Sequence, residues 1–353
     1  MITLKGGLTI GGDSPIRVNC NVGCNCISEF ESEVSKLKLI QSCNELPDMM
    51  MDLSLIDFNE PLYTLIRDYL RLPFGVVLAY QKFSKSKGLQ WRDIKDTFIH
   101  LCRNDVSFVT VHFTADKDLL EKAKIVRSIP MTSRGGGIVL YDTEINFRKQ
   151  NIFREHIDEI ADIALKYDVA ISLGSSFRPA TIFDACDSIH IEETQRQLCI
   201  CRYLQDRGVK VMVENIGHIS LDKIAEHSKL LKEFNAPIMP LGPLPTDTAI
   251  NEDHIANAIG ASFAAYNGCA HIINCVTRYE HSKSEITQEA TIEAIKSAKL
   301  AAHIADLSRG INGAKNLDNN ITRERIKSLS CFADGSICTR CSIVCPLKLI
   351  SYD

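Results

Sequence analysis

Between about residue 15 and residue 310, short apolar runs alternate with stretches whose apolar residues recur every three to four positions. Nine runs read as strands: RVNCNVG (17–23), DMMMDLS (48–54), FGVVLAY (74–80), VSFVTVHF (106–113), GIVLYD (137–142), VAISLG (169–174), VKVMVEN (209–215), APIMPLG (236–242) and AHIINCV (270–276). Most are continuous and rich in Val and Ile, the pattern of parallel strands covered on both faces. Helices with recognisable ends lie between them. Ser28 and Glu31 have the spacing of a capping box ahead of a stripe of Phe30, Val34, Leu37 and Ile40. Pro61 stands where a first-turn proline opens a helix, and Phe153, Ile157, Ile160 and Ala164 form a further stripe. Gly208 and Gly310 stand where glycine ends a helix.

About eight strand–helix units predict an α/β fold, a (β/α)8 TIM-type barrel. With nine candidate strands, one is expected to be a loop or an N-terminal addition. No G-x-G-x-x-G follows the first strand, which counts against a dinucleotide-binding sheet. After Gly310 the pattern turns polar, INGAKNLDNNITRERIKS, and then cysteine-rich. Two regions are expected: a barrel over 1–310 carrying the substrate and metal site, and a tether with a cysteine-rich iron–sulfur tail over 311–353.

Catalytic residues of a parallel barrel gather at the C-terminal ends of its strands. Those ends carry Asn21, Asp52, Tyr80, His112, Ser172 and Glu214, with His218 just beyond and His281 after the last strand. Packing needs none of them, and their convergence on one face points to a site. The S-R-G-G-G run from Ser133 to Gly137 lets backbone approach a ligand and offers a guanidinium suited to phosphate. Arg178 adds a second cation, so the face suits a small phosphorylated substrate. His218 and His281 are imidazoles of the kind that hold zinc or iron, although no local motif joins them. The tail is sharper. Cys338, Cys341 and Cys345, spaced C-x2-C-x3-C, suit three irons of a [4Fe–4S] cluster or, with Cys331 as fourth ligand, structural zinc.

Composition removes other classes. The 353 residues carry a net charge of −4, which gives no electrostatic case for nucleic acid or an anionic membrane. No apolar run is long enough to span a bilayer, and MITLKGGLTIGGD lacks the marks of a signal peptide. A cytoplasmic protein is expected. Its 14 cysteines are then no disulfide framework. Cys102, Cys199, Cys269 and Cys275 fall inside apolar patterns, and Cys20, Cys24 and Cys26 read as packing at a strand end or as metal ligands.

Taken in order, VNCNVG, MMDLS, AYQKF, FVTVHF, SRGGG, FREHIDEIADIALKYDVAISLG, VKVMVENIGH, APIMPLGPLPTD, DHIANAIGA, CVTRYEH and AAHIADLSRG resemble the phosphomethylpyrimidine synthase (ThiC) family, with its 5-hydroxybenzimidazole synthase relatives. The resemblance covers roughly residues 15 to 346. It implies a radical S-adenosylmethionine carbon–carbon lyase for thiamine biosynthesis that rearranges 5-aminoimidazole ribotide to the thiamine pyrimidine phosphate. By motif match it implies substrate contacts at Asn21, Met51, Tyr80, His112, Ser133, Arg134, Gly135, Arg178 and Glu214. It further implies zinc (or Fe2+) on His218 and His281, and a 4Fe-4S cluster on Cys338, Cys341 and Cys345 with S-adenosyl-L-methionine at its open iron. Implied partners are an electron donor such as flavodoxin or ferredoxin and a second copy in a homodimer. The departures are local: C-x2-C-x3-C for C-x2-C-x4-C, S-S-F-R for D-G-L-R at Ser175, Met239 for a tyrosine, ENIGH for E-G-P-G-H, and EHSKSE for EHLGLP. They keep open a paralogue with another product, 5-hydroxybenzimidazole among them, and a catalytically silent zinc-binding paralogue.

Overall fold

The computed structural model describes residues 1–55, 58, 60–283 and 286–349; part of the EHSKSE departure and the last four residues lie outside them. The chain divides into two compact units, Met1–Ala305 and Asp306–Asp353. The first opens with a small antiparallel hairpin of β1 (Ile2–Thr3) and β2 (Thr9–Ile10). Then come β3 (Arg17–Val22), β4 (Met49–Asp52), β5 (Phe74–Val77), β6 (Phe108–Val111), β7 (Ala170–Leu173), β8 (Val211–His218), β9 (Ile238–Leu244) and β10 (Ile272–Asn274). These eight form one parallel sheet in which sequence neighbours are spatial neighbours and β10 lies beside β3. At the other edge His271 N–H donates to Ile238 O at 2.8 Å and Asn274 Nδ2 to Pro240 O at 3.0 Å, drawing β10 to β9. The sheet closes on itself as a (β/α)8 barrel. Every residue of β4, β5, β6 and β7 is buried, as strands between a barrel interior and a helical coat require.

Eight of the nine expected strands form. The ninth, GIVLYD, lies inside the helix Arg134–Ile145. A six-residue apolar run does not distinguish strand from helix, and the deciding signal stands before it. Ser133 caps the helix, its Oγ accepting the Gly136 N–H at 3.0 Å. Buried Ile138, Val139, Asp142 and Thr143 then make a helical face.

The expected capping box at Ser28 is also absent. A 3-10 turn, Ile27–Glu29, precedes the helix Phe30–Gln41, so Ser28 sits inside the turn rather than flanking the helix. Its hydroxyl meets Cys26 Sγ at 3.1 Å, while Glu29 Oε2 accepts the Asn25 N–H at 2.6 Å. Gly208 (φ 86°) and Gly310 (φ 70°) follow their helices in the left-handed region, as expected of them. Cys20 and Cys24 are buried, whereas Cys199, expected in an apolar pattern, is exposed.

Within the second unit the polar stretch expected as a tether is a helix, Ala314–Ser328, with no buried residue. A short 3-10 turn, Ser342–Val344, and the helix Pro346–Leu349 follow. No helix among the described residues is long and apolar enough to cross a membrane.

Candidate active site

The C-terminal ends of the barrel strands enclose a cavity of about 560 Å³. Asn21 reaches it from β3, Met51 from β4 and Tyr80 from the turn after β5. His112 follows β6, Arg178 follows β7, and Glu214 and His218 lie on β8. Ser133, Arg134 and His281 complete the set. Gly135 stands behind it: a Cβ there would come within 2.2 Å of His112 Cε1. Gly174 packs against the same ring, where a Cβ would lie 2.8 Å from Cδ2. The imidazole thus sits against two glycine backbones, a fit no other residue allows without displacement.

Two expected strand-end residues stay out of this cavity. Asp52 turns to its own loop, accepting Ser54 N–H (3.0 Å), Ser54 O–H (2.6 Å) and Tyr63 N–H (3.0 Å). Ser172 acts one layer down, donating to Glu214 Oε1 at 3.4 Å. Ser175 and Met239, the two departures at family substrate positions, are fully buried and do not line the cavity either.

The electrostatics favour an anion. Arg134 lies over the Tyr80 ring at 4.5 Å and donates to Asn25 Oδ1 at 2.7 Å, which holds its fork at the rim. Ser133 and Arg134 open a twelve-residue helix whose N-terminus faces the cavity, so unpaired N–H groups and the helix dipole add positive potential. The glycines read as a loop are therefore the first turn of a helix. Burial, and then the Arg178 charge, push His112 down to about 3. Its ring is neutral, with Nδ1 buried and unpartnered. Glu214 is pushed up to about 7 by burial, against the Thr110 hydroxyl that donates at 2.7 Å and the Arg178 charge. Beside the Arg178 cation it can hold or release a proton near neutrality.

The loop that carries Arg178 is tied down by residues that sequence reasoning missed. Glu193, buried in the helix Ser188–Asp206, accepts Ser176 N–H (2.5 Å), Phe177 N–H (2.8 Å), Ser175 O–H (2.9 Å) and Thr114 O–H (2.7 Å). Arg127 donates to Phe177 O at 2.7 Å while paired with both oxygens of Asp187. A charged residue in a buried helix face was the available signal. Glu193→Ala leaves four buried donors unpaired, each costing about 1–3 kcal/mol. We expect it to lose at least about 3 kcal/mol of stability, measured by urea unfolding. An unchanged midpoint would show that the loop is held without Glu193.

His218 and His281 meet across the same cavity, their rings 4.9 Å apart and nearly perpendicular. Each Nδ1 is engaged by a carboxylate: Asp247 Oδ1 at 2.7 Å from His218 and Asp253 Oδ1 at 3.1 Å from His281. Asp253 also accepts the His281 backbone N–H at 3.2 Å. That arrangement puts the proton on Nδ1 and leaves each Nε2 lone pair free, the usual dressing of a metal-bound histidine. Burial, first, keeps His218 below its ordinary value and thus neutral. The pair fits a divalent metal. Asp247 and Asp253 were not legible as partners, because pairing emerges only when separate segments, among them the start of the helix Asp253–Tyr266, meet at the barrel mouth.

In the second unit Cys341 and Cys345 are free thiols at the two ends of the turn Ser342–Val344, and Cys338 is a third in the chain just before it. Cys341 is exposed and Cys345 buried. As a donor set, three thiols so close in the chain fit three irons of a cluster.

The profile of the radical SAM ThiC family matches residues 3–329, a stretch that ends before the tail cysteines. The chain is similar to the phosphomethylpyrimidine synthase of Thermoanaerobacter pseudethanolicus, with 34% identity over 328 residues, covering 90% of this chain and 74% of that protein. It is similar to that of Carboxydothermus hydrogenoformans, 34% over 329 residues, with 90% and 75% coverage. It is likewise similar to that of Clostridium tetani, 32% over 326 residues, with 90% and 70% coverage.

Proposed function

The chain belongs to the radical SAM ThiC family, and from that premise we propose that it is a phosphomethylpyrimidine synthase, rearranging 5-aminoimidazole ribotide to the thiamine pyrimidine phosphate. Membership makes it a radical enzyme of S-adenosylmethionine with an iron–sulfur cluster. One observation carries the substrate reading: Asn21, Met51, Tyr80, His112, Ser133, Arg134, Arg178 and Glu214 all line one cavity of about 560 Å³.

In this reading Arg134 and the helix N-terminus at Ser133 take the phosphate, and Arg178 supplies the second cation. Neutral His112 lines the cavity beside the imidazole or ribose. Glu214 accepts hydrogen bonds from the substrate amine or hydroxyls, and it holds or releases a proton at its own carboxyl. Asn21 and Tyr80 wall the ribotide in. His218 and His281 hold zinc or ferrous iron through Nε2, with Asp247 and Asp253 aligning the rings. Cys338, Cys341 and Cys345 hold the cluster, which with bound S-adenosylmethionine supplies the 5'-deoxyadenosyl radical. The reading carries with it a one-electron donor of the flavodoxin or ferredoxin kind and a homodimer.

The test is anaerobic reconstitution with iron and sulfide, then turnover of 5-aminoimidazole ribotide with S-adenosylmethionine and a reductant, read by mass spectrometry. The pyrimidine phosphate is the expected product. A product of another mass, or cleavage of S-adenosylmethionine without pyrimidine, would overturn the assignment. For the histidine pair, His218→Ala is expected to remove one metal equivalent and weaken binding at least about tenfold, measured by elemental analysis and competition with a chelator. Unchanged stoichiometry would remove the pair from the metal inventory.

A further inference from the structure

Away from the cavity, Cys186, His190 and His227 each bring one ligand atom to within 4.8 Å of the others. Cys186 ends the loop after β7, His190 lies in the first turn of the helix Ser188–Asp206, and His227 comes from the helix Leu221–Leu231. Both histidines are buried and Cys186 is half-buried. The two imidazoles lie face to face, 4.1 Å between centroids and tilted by 33°.

Hydrogen bonding decides which nitrogen of each ring is free. Asn215 Nδ2 donates to Gln197 Oε1 at 2.9 Å and Thr194 Oγ1 at 3.2 Å, while its Oδ1 accepts the Ile216 N–H at 2.6 Å. The amide is thereby oriented. Its Oδ1 faces His190 Nε2 at 3.1 Å and His227 Nε2 at 2.9 Å, so both Nε2 atoms carry the proton. Each Nδ1 is then a lone pair. That of His190 accepts the Cys186 backbone N–H at a long 3.2 Å, and that of His227 is buried with no partner. Burial holds both rings neutral, His227 pushed down to about 4 and His190 well below its ordinary value.

A polar core built only for packing would satisfy the His227 Nδ1. A metal-ligating histidine, in contrast, gives its other N–H to a fixed oxygen, and both rings do so here. Cys186 also adopts φ 61°, a left-handed conformation seldom taken by cysteine. Burial, and then the Glu226 charge, push the Cys186 thiol up to about 11, so its proton leaves only when a metal takes the sulfur.

We propose that Cys186, His190 and His227 form a metal site separate from the His218–His281 pair, in which one thiolate and two Nδ1 nitrogens take a zinc-class divalent ion. Tetrahedral zinc, with bonds of about 2.0–2.3 Å, sets its donors about 3.3–3.7 Å apart, so the three must draw in by about 1 Å. The thiol releases its proton to solvent as the metal binds, and His190 exchanges a weak hydrogen bond for a coordinate bond. A bound ion would join the end of the Arg178 loop to both helices, bracing it beyond what Glu193 and Arg127 supply.

The test uses the full chain with Cys331→Ser, Cys338→Ser, Cys341→Ser and Cys345→Ser, so that the tail offers no thiolate, stripped of metal with a chelator. Titration with Co2+ alone is expected to give a near-ultraviolet thiolate-to-cobalt band saturating at one equivalent. Adding Cys186→Ser should abolish that band, and adding His227→Gln instead should weaken binding at least about tenfold. No band, or a band untouched by Cys186→Ser, overturns the proposal. Melting is a second readout: Zn2+ should raise the midpoint by an increment that Cys186→Ser removes. Cys186 is half-buried, so this variant keeps the test decisive even where His227→Gln fails to fold. The His218–His281 pair contains no thiolate, so failure of the active-site reading leaves this outcome unchanged.

Discussion

Cys341→Ala is expected to abolish reductive cleavage of S-adenosylmethionine while the barrel folds as before. In the proposed function Cys338, Cys341 and Cys345 would hold the cluster that supplies the radical chemistry, so removing one would take away part of its protein anchor. No partial activity is expected from a cluster that is not fully held. The measurement is 5'-deoxyadenosine formed per reduced protein, with electron paramagnetic resonance of the reconstituted cluster beside it. The barrel belongs to the compact unit Met1–Ala305, so its melting should stay within error of the parent. Cys331→Ala is the internal contrast. A tail that held structural zinc through four cysteines would lose its metal in both variants, whereas the cluster reading leaves Cys331→Ala active. Undiminished cleavage by Cys341→Ala would remove the tail from the chemistry.

Glu214→Gln is expected to make the empty barrel more stable above neutral pH and the enzyme much worse. The carboxyl is buried and pushed up from its ordinary 4.5 to about 7. Between those values the folded protein keeps a proton that the unfolded chain has released, so Glu214 lowers stability as pH rises through that window. A shift of that size corresponds to about 3 kcal/mol at full extent, present above pH 7 and absent below pH 4.5. Gln keeps an oxygen for the Thr110 hydroxyl without the charge. Its melting point should therefore exceed the parent's at pH 8 and match it at pH 4. Losing a charge-assisted contact of about 1.5–3 kcal/mol should meanwhile weaken ribotide binding by about 10- to 100-fold, measured by calorimetry. Equal melting at pH 8 would refute the buried-charge account, and unchanged affinity would remove Glu214 from the substrate contacts. Both effects have one origin: a carboxylate placed in a dry cavity for a ligand is costly until the ligand arrives.

Legibility followed the range of each signal. Continuous apolar runs such as FGVVLAY and VSFVTVHF mark buried parallel strands, and the structure has β5 and β6 there. GIVLYD carried the same local pattern but became a helix, because the Ser133 cap and the partners of Ile138 and Val139 lie outside the run. Ser28 shows the converse error. Its spacing was right, and a 3-10 turn that brings Glu29 onto the Asn25 N–H displaced it.

The sequence by itself determined the barrel and the residue types at its mouth, because strand period, helix ends and the order of polar breaks are local properties of the chain. It also set three thiols of the tail side by side, since residues so close in the chain need no fold to be neighbours. Only the tertiary structure decided which polar residues meet. It set Asp247 and Asp253 behind the two histidines, turned Ser175 to Glu193 and away from the cavity, and gathered Cys186, His190 and His227 around Asn215. Each of those contacts joins side chains from segments whose proximity is created by closing the sheet and packing its helices. No local pattern records such a contact, because the free energy that selects it comes from burying the whole barrel.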